Sequence, residues 1–92
     1  MQRHAVNDWK EAVRAEIAAL RTLRDELRVR IHLGTKDARD RWQDAESTWH
    51  KLEVRLEEFG RATAESADEV GAALRLLAST VRDAYGHIKE AL

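Results

Sequence analysis

The chain contains no cysteine and no proline. Without thiols there is no disulfide framework and no thiolate metal site. No proline interrupts an otherwise helix-forming composition. Glycine is sparse: Gly34, Gly60, Gly71 and Gly86 are too scattered for a phosphate-cradling loop. Long apolar runs are missing. Nothing approaches the roughly 18 residues of a membrane-spanning helix, and the charged start Met1-Gln2-Arg3-His4-Ala5 has no apolar secretory core. A cytoplasmic location is therefore expected. Neither sign of charge dominates, with 16 Lys/Arg against 17 Asp/Glu and a net charge of −1, which argues against a dedicated nucleic-acid binder.

What remains is helical material. The 92 residues make one domain at most, able to bury roughly 60–65% of the surface the unfolded chain exposes. Hydrophobic residues are 43% and charged residues 36%, too apolar for a disordered chain and too charged for a membrane protein. Ala, Leu, Arg and Glu dominate, the mix of long helices and coiled coils.

Apolar residues recur at three- and four-residue steps almost end to end: Val6, Trp9, Val13, Ile17, Leu20, Leu23, Leu27 and Ile31, then Ala38, Trp42, Ala45, Trp49, Leu52, Leu56 and Phe59, then Ala67, Val70, Leu74, Leu77, Val81, Ala84, Ile88 and Ala91. This spacing puts them on one helix face, and no period-two alternation supports a strand. Residues 42–59 and 67–91 keep strict heptads, while 13–20 and 59–67 carry a stutter. Glu26/Arg30, Asp37/Arg41 and Glu57/Arg61 are acid-first i,i+4 pairs marking the solvent face.

Two breaks are suggested. Gly60 followed by Ser66-Ala67-Asp68-Glu69 reads as a helix end and a capping box, placing a turn at about 60–66. Leu33-Gly34-Thr35-Lys36 has cations before it and acids after it, as a helix end and a new start would. Yet the stripe passes through in phase by way of Ile31, Thr35 and Ala38, and a helical glycine costs only about 1 kcal/mol.

The expected fold class is all-α: a single helical domain over 1–92, with a helix over about 3–59 and another over about 66–91. The favoured architecture is a long helical hairpin assembling into an antiparallel four-helix bundle dimer. The alternative is a monomeric three-helix bundle with a break at 33–36. In the first case Val6, Trp9, Val13, Ile17, Leu20, Leu23, Leu27 and Ile31 form the interface. Trp42, Trp49, Leu52, Leu56, Phe59, Val70, Leu74, Leu77, Val81 and Ile88 form the core, with Tyr85 beside it.

Residues with chemical potential do not assemble into a recognisable motif. Glu-x-x-His, the di-iron bundle element, is absent. Glu46/His50/Glu53 and Asp83/His87/Glu90 have helical spacing but fall beside the stripe, as a solvated face does. His32 reads as a flank residue at a helix end. Ser47, Ser66 and Ser79 lack elbow glycines. Lys10, Arg14, Arg21, Arg24 and Arg28 form a basic band interleaved with acids, read as a solvated or interhelical charge face. No catalytic residue, metal or cofactor is expected.

Leu23-Arg24-Asp25-Glu26-Leu27-Arg28-Val29-Arg30-Ile31-His32-Leu33, then Asp37-Ala38-Arg39-Asp40-Arg41-Trp42, resembles a group of small uncharacterised bacterial helical proteins. These carry a similar His-Leu element, an acidic helical stretch with a Trp and a Leu-Glu pair, for which Leu52-Glu53 stands here. Val81-Arg82-Asp83-Ala84-Tyr85-Gly86-His87-Ile88-Lys89 is similar to their C-terminal amphipathic helix. The resemblance covers roughly two thirds of the chain. It implies an α-helical coiled-coil protein and no activity or site.

The sequence thus points to a non-enzymatic structural or interaction module acting by homo-oligomerisation, a dimer foremost, or by docking to a helical partner. An amphipathic lipid- or granule-surface protein, resting on Ala67–Leu92, and a small DNA-associated regulator, resting on the basic band, are the alternatives. Neither a nucleic acid nor a membrane surface is the expected partner.

Overall fold

A computed structural model describes the backbone of residues 2–63 and 65–92, and side chains from Trp9 onward among these. Three long helices run in order: α1 Gln2–Arg30, α2 Lys36–Arg61 and α3 Ala67–Ala91, with a 3-10 turn at Ile31–Leu33 between the first two. Each carries one apolar stripe, and the three stripes converge. No strand occurs among the described residues. The fold is all-α.

The chain breaks at Gly34. Its amide donates to the Ile31 carbonyl at 3.0 Å, closing the 3-10 turn. Gly34 is extended, at φ −79° and ψ 166°, and Thr35 follows in the same region. The Thr35 hydroxyl then accepts from the Ala38 amide at 3.1 Å, an N-cap that satisfies one of the free donors of α2. Arg28 and Arg30 in the last turn of α1 and Asp37 in the first turn of α2 complement the helix dipoles. Any residue could adopt the Gly34 backbone; space is what is short there. A Cβ would stand 3.0 Å from Leu92 Cδ2 and 3.2 Å from the Ile31 carbonyl oxygen.

The long hairpin favoured by the sequence is therefore not formed. A helix over about 3–59 would be on the order of 80 Å long at about 1.5 Å per residue, whereas the molecule measures 49 × 20 × 16 Å. The antiparallel four-helix dimer built from such hairpins loses its premise, and the arrangement is the three-helix bundle. Phase continuity misled because Thr35 was counted as a stripe position. It is the cap, and Ile31 and Ala38 are both buried because each closes the stripe of its own helix against the same corner.

The second break falls where expected, between Arg61 and Ala67, but the capping box does not form. Ser66 is in the right-handed helical region and makes no side-chain cap to α3. Its hydroxyl meets Thr63 instead, accepting from the Thr63 amide at 3.1 Å. The Thr63 carbonyl accepts from the Ala67 amide at 2.9 Å, so the first helical hydrogen bond already starts there. With Ser66 inside that turn, its hydroxyl is not placed for the Glu69 amide.

The helices run up, down and up. Trp9 of α1 packs on Gly71 of α3 near one end, and Gly34 meets Leu92 at the other, so α1 and α3 are parallel. Helix α2 lies close against α3 and antiparallel to both. Among the described residues the Cα atoms of α1 and α2 nowhere approach within 8 Å. Large aromatics of α2 fill that wider seam.

The α3 face differs in detail from the stripe read in the sequence. Ala67, Leu74, Val81 and Ile88 are buried, but the alternate positions fully enclosed are Gly71, Ala78 and Tyr85. Val70, Leu77 and Ala84 are only half-buried, and Ala91 is exposed. Helix α3 packs against two neighbours, so its buried arc is wider than a two-helix seam and rotated towards α1.

The aromatic seam and the exposed faces

The residues expected at an intersubunit interface are covered by the chain itself. Val13, Ile17, Leu20, Leu27 and Ile31 are buried, and Trp9 and Leu23 pack half-buried against the same core. The reason is the break at Gly34, which returns α2 and then α3 over the α1 stripe. The expectation at Val6 concerns a side chain outside the described residues. Trp49, Leu52, Phe59, Leu74, Val81 and Ile88 are buried, with Trp42, Leu56, Val70 and Leu77 packed around them.

Four of the five residues of the basic band of α1 sit over rings at the α1/α2 seam, while Arg28 is exposed in the last turn of α1. Lys10 Nζ and the Arg14 guanidinium lie 5.9 and 5.8 Å from the Phe59 ring centre. The guanidinium groups of Arg21 and Arg24 lie 5.8 and 5.6 Å from that of Trp49. Such cation–π contacts contribute about 0.5–2 kcal/mol each, depending on desolvation. The floor beneath them is apolar: Trp9 meets Phe59 edge-on, with ring centres 5.7 Å apart.

One ion pair locks the seam. Arg24 donates from Nε and Nη2 to the two carboxylate oxygens of Glu46, both at 2.7 Å. This fork geometry is one a lysine cannot reproduce. The hydrogen bonds to Glu46 raise the Arg24 pKa further above its already high value. Glu53 and Glu57 belong to the α2 surface that also carries Arg21 at its edge, so the seam sets a basic strip against an acidic one. Across the α1/α3 seam, Arg82 pairs with Glu16, and Arg75 lies 5.2 Å from the Trp9 ring centre.

Tyr85 sits at the centre of this arrangement. It is fully buried, stacked on Trp42 at 5.9 Å between ring centres, and its hydroxyl has no hydrogen-bond partner among the described residues. Burial pushes its pKa well up, and the Glu46 carboxylate adds to the shift. The sequence reading placed Tyr85 beside the stripe; helical spacing from Gly71 and Ala78 was the signal that it belongs inside.

Residues weighed for chemistry do not converge. Glu46 is engaged by Arg24, while His50 and Glu53 are exposed. Asp83, His87 and Glu90 are exposed on α3, and His32 is exposed in the 3-10 turn. No group of three or more His, Cys, Asp or Glu side chains able to hold a metal occurs among the described residues. Thr22, Thr48 and Thr80 donate back to the carbonyls of Ala18, Asp44 and Leu76 on their own helices. Of the expected surface pairs, Asp37–Arg41 at 3.0 Å and Glu57–Arg61 at 3.7 Å form. The groove between α2 and α3, lined by Arg41, Ala45, Thr48, Ala84 and His87, is a shallow surface depression.

The apolar face of Ala67–Leu92 is turned into the core through Leu74, Val81 and Ile88. No helix of the described residues is long and apolar enough to cross a membrane. Large apolar side chains do reach solvent elsewhere: Val29 is 75% exposed, Leu33 94% and Leu76 70%. Val29 lies in the last turn of α1, and Leu33 ends the 3-10 turn that follows it. No family model, no curated protein and no solved structure matches this chain.

Proposed function

We propose that this chain is a non-enzymatic helical interaction module that works in the cytoplasm by self-association or by docking to another helical protein. The observation that carries the reading is the pair Val29 and Leu33. Both are largely exposed on α1 and the adjoining turn, although the three apolar stripes are otherwise satisfied within the chain. Isolated apolar residues on a surface are ordinary, but two large ones four residues apart, one in the last turn of a long helix and one in the 3-10 turn that follows it, offer a contact for another helix. The interface is thus the outer surface of α1, not its inner stripe.

The alternatives have less to rest on. A lipid- or granule-coating role would draw on the apolar face of α3, which is already buried. A DNA-associated role would draw on Lys10, Arg14, Arg21, Arg24 and Arg28, of which all but Arg28 lie over aromatic rings. Absolute mass by light scattering, at low and moderate salt and over a wide concentration range, tests the reading. A salt-insensitive dimer or larger assembly supports self-association. A monomer that co-floats with anionic vesicles, or is retained on DNA at low salt, replaces the reading with the corresponding alternative.

A further inference from the structure

We propose that α1 is exchanged between two copies of this chain: the corner at Gly34 straightens into helix, and each α1 seats on α2 and α3 of the other copy. The inference goes beyond the outer-surface reading above and does not need Val29 or Leu33. It concerns the inner stripe of α1, which becomes available only when the chain opens. The occupant of the surface it leaves is shown, because α1 covers α2 and α3 within one chain. Trp9 seats on Gly71, Arg24 forks onto Glu46 and Glu16 pairs with Arg82. Each of these contacts forms equally well between two chains.

Little separates the corner from a helix. Gly34 stands at φ −79° and ψ 166°, and Thr35 at φ −68° and ψ 167°. Both φ values already suit a helix, and only the two ψ angles need to turn to about −42°. A 3-10 turn precedes these residues and α2 follows them. Straightened, the segment keeps its apolar phase: Leu27, Ile31, Thr35, Ala38 and Trp42 follow at three- and four-residue steps, on one helix face.

The topology closes about a two-fold axis. In the closed chain α1 runs antiparallel to α2 and ends beside its start. Two straightened chains laid antiparallel, with the axis near Gly34, set each α1 beside the α2 of the other copy in the same direction and at the same level. Each half again holds one α1, one α2 and one α3, so the product is a pair of the observed bundles and not a four-helix assembly. The attachment of α1 permits its release. Among the described residues no Cα of α1 lies within 8 Å of a Cα of α2, so side chains alone make that seam.

Since the helix contacts are common to both forms, the corner decides between them. The closed form keeps the Gly34–Ile31 hydrogen bond and the Thr35 cap, and its short tether holds α1 at high effective concentration. Glycine favours this form twice over. It is a poor helix former, and it leaves room for Leu92 Cδ2 and the Ile31 carbonyl oxygen, which a Cβ would approach to 3.0 and 3.2 Å.

Sedimentation velocity tests the exchange, after refolding from denaturant at a series of concentrations, with circular dichroism to follow helicity. Gly34→Ala should raise the dimerisation constant at least about tenfold, because the two corners of a dimer each gain the alanine-for-glycine difference in helix propensity. Helicity should not fall. Lys36→Pro suits the closed form, where it opens α2 after an extended Thr35, and it forbids a helix through the corner. The double variant G34A/K36P should therefore be monomeric, whereas adding Val29→Lys to Gly34→Ala should leave the dimer unchanged. A monomeric Gly34→Ala chain, or a dimer that persists in G34A/K36P, overturns the exchange. A dimer broken by Val29→Lys and indifferent to positions 34 and 36 also overturns it, and leaves the outer-surface reading standing.

Discussion

The indole of Trp9 occupies the space that a side chain at Gly71 would need: an ideal Cβ there stands 2.6 Å from Trp9 Cζ2 and still closer to the neighbouring ring atom. Glycine lets α3 approach α1 at this level, and the ring is held in place by Phe59 on one side and Arg75 on another. Two terms compete in Gly71→Ala. Replacing a helical glycine gains about 1 kcal/mol, whereas overpacking a core costs about 1–3 kcal/mol. The clash involves a large ring, so we expect a net loss of about 1 kcal/mol or more. Gly86→Ala is the control. None of the described residues lies within 4 Å of its ideal Cβ, so that variant should gain about 0.5–1 kcal/mol. Chemical denaturation of the two variants should move the midpoint in opposite directions, and shifts of the same sign would contradict this packing.

Tyr85 should make the protein sensitive to alkali. Its folded pKa is raised above the ordinary tyrosine value, chiefly by burial. The neutral form is thus favoured in the folded state, and stability is full below the unfolded pKa near 10. As pH rises past that value the unfolded chain loses the proton while the folded one keeps it, so stability falls. Tyr85→Phe should remove this component of alkaline unfolding. At neutral pH it should cost nothing or stabilise by up to about 1 kcal/mol, because it deletes a buried hydroxyl without a partner. Denaturation midpoints between pH 7 and beyond the ordinary tyrosine pKa measure both effects.

Arg24 and Glu46 should be energetically coupled. The pair is only partly shielded, with side chains 20% and 31% exposed, so screening reduces its strength. A double-mutant cycle with Arg24→Met and Glu46→Gln should give a coupling of about 1 kcal/mol, between the surface and buried limits. Arg24→Lys should lose most of it, since lysine cannot form both hydrogen bonds. A coupling near zero would mean that the seam is held by the aromatic contacts alone.

Trp49→Ala should cost about 3–5 kcal/mol. The residue is 2% exposed, and its ring also supports Arg21 and Arg24. A thermal melt that left the midpoint unchanged would remove Trp49 from the core.

The helices were legible because helix-forming composition and apolar spacing act locally. Phe59 and Ala67 marked the ends of two stripes, and the Gly60–Ser66 stretch between them was recognisable as a turn. The corner at Gly34 was harder. Thr35 fits the apolar phase and can cap a helix equally well, and only the return of α2 onto α1 decides between them. The candidate interface was misplaced for the same reason. An apolar stripe says that a face must be covered, and not whether another molecule or a later part of the same chain covers it.

The sequence by itself determined an all-α chain of amphipathic helices, since periodicity is a property of single segments. Tertiary structure alone decided the break at Gly34, the rotation that encloses Gly71, Ala78 and Tyr85, and the seating of Arg24 between Trp49 and Glu46. Those outcomes depend on which surfaces meet, because burial is a relation between segments distant in the chain, fixed only when all three helices pack at once.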